Sequence, residues 1–441
     1  MAKVVERKQG FAPDGGGRMV SRSILFLTVL LTALTPFQIH GQNDRVTELL
    51  DEFESDNPED RKSALFSLSN YEEDPRAVEV FIKALADDNS EVRLYALTKF
   101  PKTSDPRAIP AIVDVQNNDG DCLVRSQAAE ALAGIEDDRA IDALINAMNS
   151  DESFMVRGRA VNSLASHVRY SRHTVNEKIL SALCSALLVN DEPSTRHAVA
   201  WAMHDISDPR VVEPLILALN DEDINVRKNA AEAFGRRRIK EPRAVEPLIR
   251  TLKTDIPFVT TWAAFSLGKM DDFRATGPLI DVLNEDYEVT EYISDERDEK
   301  WFTAGALGEL GDPRAIEPLI HVMNNHEDVV IRWKAAESLG MFDDARAALA
   351  LLDASVSEVE GLGNEAVFAL IDMGEPALEP LSTALKDKKR DFEVQLWAAS
   401  IIGETSKDNP ELESYMKLVE KWHKQNKRKI QRYSRRHSEE R

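Results

Sequence analysis

One ten-residue pattern recurs eleven times in the chain and constrains its fold more than any other feature. The pattern reads V-R-x-x-A-A-x-A-L-G, and its second position falls at residues 61, 93, 125, 157, 196, 227, 260, 300, 332, 363 and 395. Successive positions are 31 to 33 residues apart, except from 157 to 196 and from 260 to 300, where the steps are 39 and 40. A period of this length predicts stacked supersecondary units, each of which buries its apolar face against the next.

Arginine fills the second position in seven of the eleven copies. The seven are Arg61, Arg93, Arg125, Arg157, Arg196, Arg227 and Arg332. The other four copies hold Thr260, Lys300, Gly363 and Gln395. The acidic turns beside these positions offer internal partners, so we interpret the arginines as architectural and not as a ladder that binds an external anion.

Residues 208–235 show how one unit is built. Asp208 is suited to cap a helix start, and Pro209 is suited to its first turn, where a missing N–H is no loss. The first helix carries an apolar stripe at helical spacing, formed by Leu215, Ile216 and Leu219. After a polar turn, a second helix is predicted from near Val226 to Gly235, a residue that commonly ends helices. Each unit is therefore a pair of antiparallel helices, A and B.

A second proline recurs inside the predicted A helices. It is found at Pro214, Pro247, Pro278, Pro318 and Pro380. If helix A begins one or two residues after the first proline, the second lies near its first turn and costs little. Otherwise it bends the helix and helps the stack to curve.

The unit D-P-R-A-x-E-P-L-I … V-R-x-x-A-A-x-A-L-G is similar to a HEAT repeat of the PBS-lyase-like (bilin-lyase-like) class. The resemblance covers about residues 45–406. It implies an all-α, right-handed α-solenoid of the ARM/HEAT type with about eleven helix pairs. It also implies that the recurrent arginine joins neighbouring repeats by hydrogen bonds to an acidic residue or a carbonyl. Proteins of this class include scaffolds, bilin lyase subunits and an iron hydroxylase family.

The chain divides into three segments by composition. Residues 1–42 are predicted to be an extension plus a signal peptide from about Met19 to Gly41, which indicates export to a bacterial periplasm or secretion. A retained anchor is the alternative, but the apolar run of residues 24–34 is shorter than the about 20 residues that span a bilayer. Residues 43–409 form the solenoid. Residues 410–441 form a capping helix and a basic tail.

The net charge of −22 opposes binding to nucleic acid over most of the surface. Residues 421–441 differ, because nine Lys or Arg face only Glu439 and Glu440, a net of +7. An apolar stripe at helical spacing precedes them and predicts a helix that covers the last repeat: Leu412, Tyr415, Met416, Val419 and Trp422. The basic residues either contact an anionic membrane or polymer weakly, or fold back on the acidic body, or stay solvated.

Helix B is predicted to carry large aromatics on the side that points away from the core. With the first pattern residue as position 1, positions 3, 7 and 10 point outward, toward the surface that HEAT solenoids keep concave. Positions 3 and 7 hold His197, Trp301, Trp333, Phe66, Trp201, Phe265 and Phe368. Large exposed aromatics mark binding surfaces. The alternative is that each ring tucks into a neighbouring repeat, as we predict for Trp262 and Trp397 at position 4.

Glutamates alternate with these aromatics at Glu130, Glu232 and Glu337, so an acidic groove with apolar anchors is predicted. A basic or amphipathic peptide would fit such a groove.

Two insertions interrupt the period and are predicted to be loops on one edge. The first is assigned to Ser166–Thr174, and the second lies between Asn284 and Lys300. The eight carboxylates of residues 285–299 lack the spacing of a Ca²⁺ loop, so a solvated acidic loop is favoured over a calcium site. His197, Trp201 and His204 are spaced as one helical stripe, with His167 and His173 nearby in sequence. A polar stripe is favoured there over a metal site.

No catalytic constellation is present in the sequence: nucleophile-elbow, zinc-protease, phosphate-loop and dinucleotide motifs are all missing. Hydroxylases of the deoxyhypusine type resemble this fold but use several His-Glu pairs, and here only His326-Glu327 occurs. Export argues against a bilin lyase, which acts in the cytosol. We therefore predict a non-catalytic scaffold for a protein or peptide partner, without metal or cofactor. A HEAT-like lyase or metal-dependent hydroxylase is the alternative.

Overall fold

A computed structural model describes residues 45–71, 74–99, 106–170, 176–237, 240–284, 296–407 and 409–439. The predicted signal peptide lies outside these residues, as do His173 and most of the second insertion. The chain separates into two compact units, Met1–Ile135 and Glu136–Arg441. In the described ranges the secondary structure is helical, without strands, and the helices form eleven A–B pairs followed by one last helix. The predicted all-α solenoid is confirmed.

The first unit contains three helix pairs. Its helices are α1 (residues 45–53), α2 (Pro58–Leu68), α3 (Pro75–Ala84), α4 (Ser90–Lys99), α5 (Ala108–Asn118) and α6 (Cys122–Ala131).

The second unit contains eight pairs and the last helix. The helices are α7 (Asp138–Ser150), α8 (Phe154–Tyr170), α9 (Glu177–Val189), α10 (Pro193–Ala202), α11 (Val212–Ala218), α12 (Ile224–Arg237), α13 (Pro242–Thr254), α14 (Pro257–Gly268), α15 (Thr276–Asn284), α16 (Glu296–Leu310), α17 (Ile316–Asn325), α18 (Val329–Leu339), α19 (Ala345–Ala354), α20 (Leu362–Met373), α21 (Glu375–Lys386), α22 (Phe392–Ser406) and α23 (Glu413–Glu439). From α1 to α22, odd numbers are A helices and even numbers are B helices. Among the described residues, no helix is both long enough and apolar enough to cross a bilayer.

The A helices begin as the D-P-R motif predicts. The Asp208 carboxylate accepts the backbone N–H of Arg210 at 2.9 Å and also binds its guanidinium. The same arrangement recurs at Asp74, Asp137, Asp272, Asp312 and Asp344, and at Glu241. Hydrogen bonds from the Arg139 side chain and backbone lower the pKa of Asp137 to about 2.

The second proline occupies two different positions in the A helices. A short 3-10 turn, Pro209–Val211, precedes α11, so Pro214 is the third residue of that helix and lies in its first turn. The starts of α15 and α17 follow the same plan. In α13 and α21 there is no such turn, and Pro247 and Pro380 lie inside the helices.

Most of the recurrent arginines join one repeat to the next, as the family resemblance implies, whereas Arg332 donates to the Met323 carbonyl of its own repeat. Arg61 donates two hydrogen bonds to the Asp87 carboxylate in the following repeat, at 2.7 and 2.8 Å, and one to the Ser55 carbonyl before its own helix. Arg93, Arg196 and Arg227 bind the next acidic turn in the same way. These bidentate, charge-assisted pairs hold the stack in register.

The glycine that closes the pattern does not have the predicted role of ending helix B. Gly235 does not end its helix, because α12 continues to Arg237. A Cβ at Gly235 would lie 2.6 Å from the Phe265 ring, and one at Gly268 would lie 2.6 Å from the Ala306 Cα. The glycines therefore let successive B helices approach closely, and a larger residue would force them apart.

The first insertion is helical for half of its length and is not simply a loop. Helix α8 continues to Tyr170, so residues 166–170 are helical and His167 is buried. Residues 171–174 lie outside the described part of the chain.

The last helix packs on the last repeat. Trp422 stacks on Phe392 of α22 with 5.8 Å between ring centroids, and Val419 and Trp422 are buried.

Candidate partner-binding face

The B helices from α10 to α20 pack against one another in sequence order and present a row of large side chains. We call this row the B-helix face and define it by Trp201, Trp262, Phe265, Trp301, Phe302, Trp333 and Phe368. It includes every predicted aromatic anchor of the second unit. Phe302 was not predicted as part of this face. It occupies position 4 of the repeated pattern, as Trp262 and Trp397 do.

The two ends of the face are exposed to solvent. Trp201 on α10 is 50% exposed and Phe368 on α20 is 60% exposed, fractions that are high for side chains of this size. His197 lies one turn before Trp201 and is also exposed. Partial desolvation lowers the pKa of His197, which favours its neutral form at neutral pH.

The centre of the face is an aromatic cluster between α14 and α16. Trp262 lies 5.8 Å from Phe265 and 5.7 Å from Phe302, and Trp301 lies 5.0 Å from Phe302, measured between ring centroids. All four rings are half-buried. The predicted anchor Phe265 therefore follows the alternative interpretation, since its ring packs on Phe302 of the neighbouring repeat with 5.9 Å between centroids. The Trp301 ring packs on Phe302 of its own helix.

Cations cover the aromatic rings. The Lys228 ammonium lies 4.8 Å from the Trp262 ring, and the Arg236 guanidinium lies 5.7 Å from the same ring. Lys334 lies 4.4 Å from the Trp301 ring, and Lys269 lies 5.3 Å from the Phe265 ring. These cation–π contacts hold the rings and the cationic groups against one another.

The predicted acidic groove is wrong for the centre of the face. Glu232 is buried and forms ion pairs with Lys228 and Arg236, one helical turn before and after it. Burial raises the pKa of Glu232, but the hydrogen bonds from these two cations outweigh burial and hold the pKa below its ordinary value. Glu232 is therefore an internal counter-ion and offers no charge to a partner.

Carboxylates also lie at the end of the face near α20. Burial raises the pKa of Glu365, and the nearby Glu337 carboxylate raises it further. Glu337 is itself paired with Lys334 at 2.8 Å. At α12–α16 the cations over the rings are paired with carboxylates, as Lys269 is with Glu309, whereas beside Phe368 the face is apolar and acidic.

Trp333 is tied to the following repeat, as the alternative interpretation of the aromatic rings predicts. Its indole Nε1 donates to the Glu360 carbonyl at 2.9 Å, and a Cβ at Gly361 would lie 2.6 Å from its Cζ2. The ring therefore packs on the connection between α19 and α20. This contact, which crosses 27 residues, has no signal in the helical spacing.

The histidines do not form the predicted stripe. Helix α10 ends at Ala202, so His204 lies in a 3-10 turn and is buried, and its Nε2 donates to the Asn229 carbonyl at 2.9 Å. Burial lowers the pKa of His204. Within the described ranges, no three His, Cys, Asp or Glu side chains are grouped to hold a metal ion.

Comparison with known protein families agrees with this architecture. The profile for HEAT repeats matches residues 109–174, 212–293 and 288–363, and the profile for the PBS lyase HEAT-like repeat matches residues 195–221. The chain is a HEAT-repeat protein. A sequence search among curated proteins found no match.

Solved structures resemble this HEAT-repeat protein in fold. Kap121p bound to Nup53p gives a TM-score of 0.59 at 13% identity, over 83% of this chain and 45% of that chain. Kap121p bound to Pho4p gives 0.59 at 14% identity, over 86% and 45%. A Kap95p structure with RanGDP gives 0.59 at 14% identity, over 87% and 59%. The chain spans about half the length of these structures.

Proposed function

We propose that this HEAT-repeat protein is a non-catalytic scaffold that binds a protein or peptide segment along the B-helix face. The observation that carries the proposal is the pair of exposed aromatics, Trp201 and Phe368, at the ends of one face. Exposed Trp and large apolar side chains are enriched where proteins bind partners. The half-buried cluster between them adds a rigid apolar centre.

The packing of the helices supports a concave B-helix face in the second unit. Glycines such as Gly268 and Gly340 bring successive B helices into backbone contact, whereas the A helices of this unit contact one another less extensively. Helices that approach closely on one side and splay on the other curve a stack toward the close side.

The charges on the face predict the chemistry of the partner. An apolar side chain would pack on Trp201 and another on Phe368. A lysine or arginine of the partner would meet Glu365, which forms no ion pair with any described residue. The Kap121p and Kap95p structures contain bound proteins, which supports a scaffold role for a stack of this kind.

The test is a pull-down that uses the chain from residue 43 as bait, in three forms: the wild type, a double variant of the face and a control variant. We expect the wild type to retain a partner and Trp201→Ala/Phe368→Ala to lose it. Phe273→Ala is the matched control, because Phe273 is 52% exposed but precedes α15, away from the face. Equal retention by the double variant and the control would refute the B-helix face as the site.

We also propose that the protein is exported and that residues up to about Gly41 are removed as a signal peptide. The charged start and short apolar run before Pro36 support this. The intact mass of protein purified from its source tests it: a chain that begins near residue 42 supports export, and a mass that includes residues 19–41 contradicts it.

A further inference from the structure

The described part of α23 has two faces with opposite properties. Tyr415, Trp422 and Tyr433 point toward the last repeat: the Tyr415 hydroxyl lies 3.3 Å from a Glu379 carboxylate oxygen, and both other rings contact Phe392. At 100° per residue, a set of basic side chains falls on the opposite side of the helix. We call them the basic strip: Lys421, Lys424, Arg428, Arg432 and Arg435.

The basic strip is exposed to solvent. All five side chains are exposed, and no described residue forms an ion pair with Lys421, Lys424, Arg428 or Arg432. Residues 1–420 carry −29, because the whole chain carries −22 and residues 421–441 carry +7. Acidic groups are therefore plentiful, yet the packing of α23 keeps the strip turned away from the last repeat.

We propose that the basic strip binds an anionic lipid surface by electrostatic attraction. Clusters of four to eight Lys or Arg on a helix are typical of contacts with acidic phospholipid headgroups. The five side chains span about 20 Å on one line, so they can reach a flat charged surface together. This proposal is independent of the B-helix face.

The contact is peripheral, because the apolar side of α23 is occupied. Trp422 is buried against the last repeat and cannot insert into a bilayer while the helix stays docked. Binding therefore depends on charge and is screened by salt within a Debye length of about 8 Å at physiological ionic strength.

A nucleic acid is a poorer occupant for the same strip. Proteins that bind nucleic acid present a basic domain, whereas this chain carries −22 overall. The strip also offers no exposed aromatic ring on which a base could stack.

The test is co-sedimentation of the full chain with vesicles of phosphatidylcholine alone, or of phosphatidylcholine and phosphatidylglycerol at two to one. We expect binding only to the anionic vesicles, at ~0.1 M salt and not at ~0.5 M. Lys421→Gln/Lys424→Gln/Arg428→Gln removes three strip charges but keeps good helix formers. Each charge contributes about fivefold to membrane partitioning, so this variant should bind roughly 100-fold more weakly.

The matched control is Lys386→Gln/Lys388→Gln/Lys389→Gln, which removes three exposed charges from the end of α21 and the turn that follows it. It changes the net charge equally and should bind like the wild type. Equal loss in both variants would overturn the proposal, as would wild-type binding to neutral vesicles or none at all. Tighter binding to a DNA duplex than to anionic vesicles would also overturn it. Trp201→Ala/Phe368→Ala should bind vesicles normally, which separates this test from that of the B-helix face.

Discussion

The guanidinium of Arg196 donates two hydrogen bonds to the carboxylate of Asp221, at 2.8 and 2.9 Å, and so joins two neighbouring repeats. A third bond, to the Asn190 carbonyl at 2.8 Å, ties the same side chain to the turn before its own helix. The side chains of Arg196 and Asp221 are only 7% and 10% exposed. Each therefore depends on the other for compensation of its buried charge.

Arg196→Ala should lower the free energy of unfolding by about 3 kcal/mol, because it leaves Asp221 buried without its partner. Arg243→Ala is the control: Arg243 also pairs with carboxylates but is 61% exposed, so solvent screens its ion pairs and the loss should be much smaller. Urea unfolding followed by circular dichroism measures both. Equal destabilisation by the two variants would contradict an interlocking role for the recurrent arginine.

The sequence predicted the helix pairs because they depend on local periodicity. A spacing of 3.6 residues decides which side chains face the core, and a fixed repeat length carries that assignment along the chain. The resemblance to HEAT repeats supplied the bridging role of the arginine, from which Arg332 departs by binding the Met323 carbonyl of its own repeat. The ion pairs of Glu232 could also have been predicted, since Lys228 and Arg236 lie four residues before and after it.

Partial burial of the anchors could not be predicted, because it depends on the distance between repeats. The Phe265 ring lies against Gly235 of the preceding B helix, and the Trp333 ring lies over Gly361. Helical angles describe one helix and contain nothing about how closely its neighbour approaches. The predicted place of His204 was wrong for a related reason. Helix α10 ends before His204, so helical spacing does not describe where its side chain lies.

Gly268→Ala should destabilise the second unit by about 1–3 kcal/mol. A Cβ there would lie 2.6 Å from the Ala306 Cα and 2.8 Å from its Cβ, so α14 and α16 would have to separate. Gly403→Ala is the matched control, because Gly403 lies inside α22 with nothing within 4 Å of a new Cβ. That variant should gain about 0.5–1 kcal/mol from better helix propensity. Thermal unfolding distinguishes the two; the same sign of change in both would contradict close B-helix packing.

The A-helix caps should make stability fall in acid. The adjacent arginine lowers the pKa of Asp208, Asp272 and Asp344 below the ordinary value, through side-chain hydrogen bonds. A folded-state pKa below the unfolded one stabilises the protein above the unfolded pKa, and this is lost as the pH falls through the folded pKa. We therefore expect the unfolding temperature to fall from about pH 4 downward.

Replacement of these three aspartates by Asn tests whether the caps cause the loss of stability in acid. Asn still accepts the capping N–H but does not titrate, so Asp208→Asn/Asp272→Asn/Asp344→Asn should be less stable near neutral pH. It should also lose less between about pH 4 and pH 2 than the wild type. An unchanged slope of unfolding temperature against pH would assign the acid sensitivity to other carboxylates.

Alanine variants of Trp333 and Trp201 should differ in effect: the first should lower stability, and the second should weaken partner binding. Trp333→Ala removes the hydrogen bond to the Glu360 carbonyl and the packing over Gly361, so it should cost about 1–3 kcal/mol of stability. Trp201→Ala removes a half-exposed ring and should change stability by about 0.5 kcal/mol or less. It should nevertheless weaken partner binding by about 30-fold, the loss typical of an interface anchor. Unfolding curves and binding titrations on the same preparations measure both quantities. A Trp333→Ala variant that keeps wild-type stability but loses the partner would show that Trp333 is a direct anchor and not a tether for the α19–α20 connection.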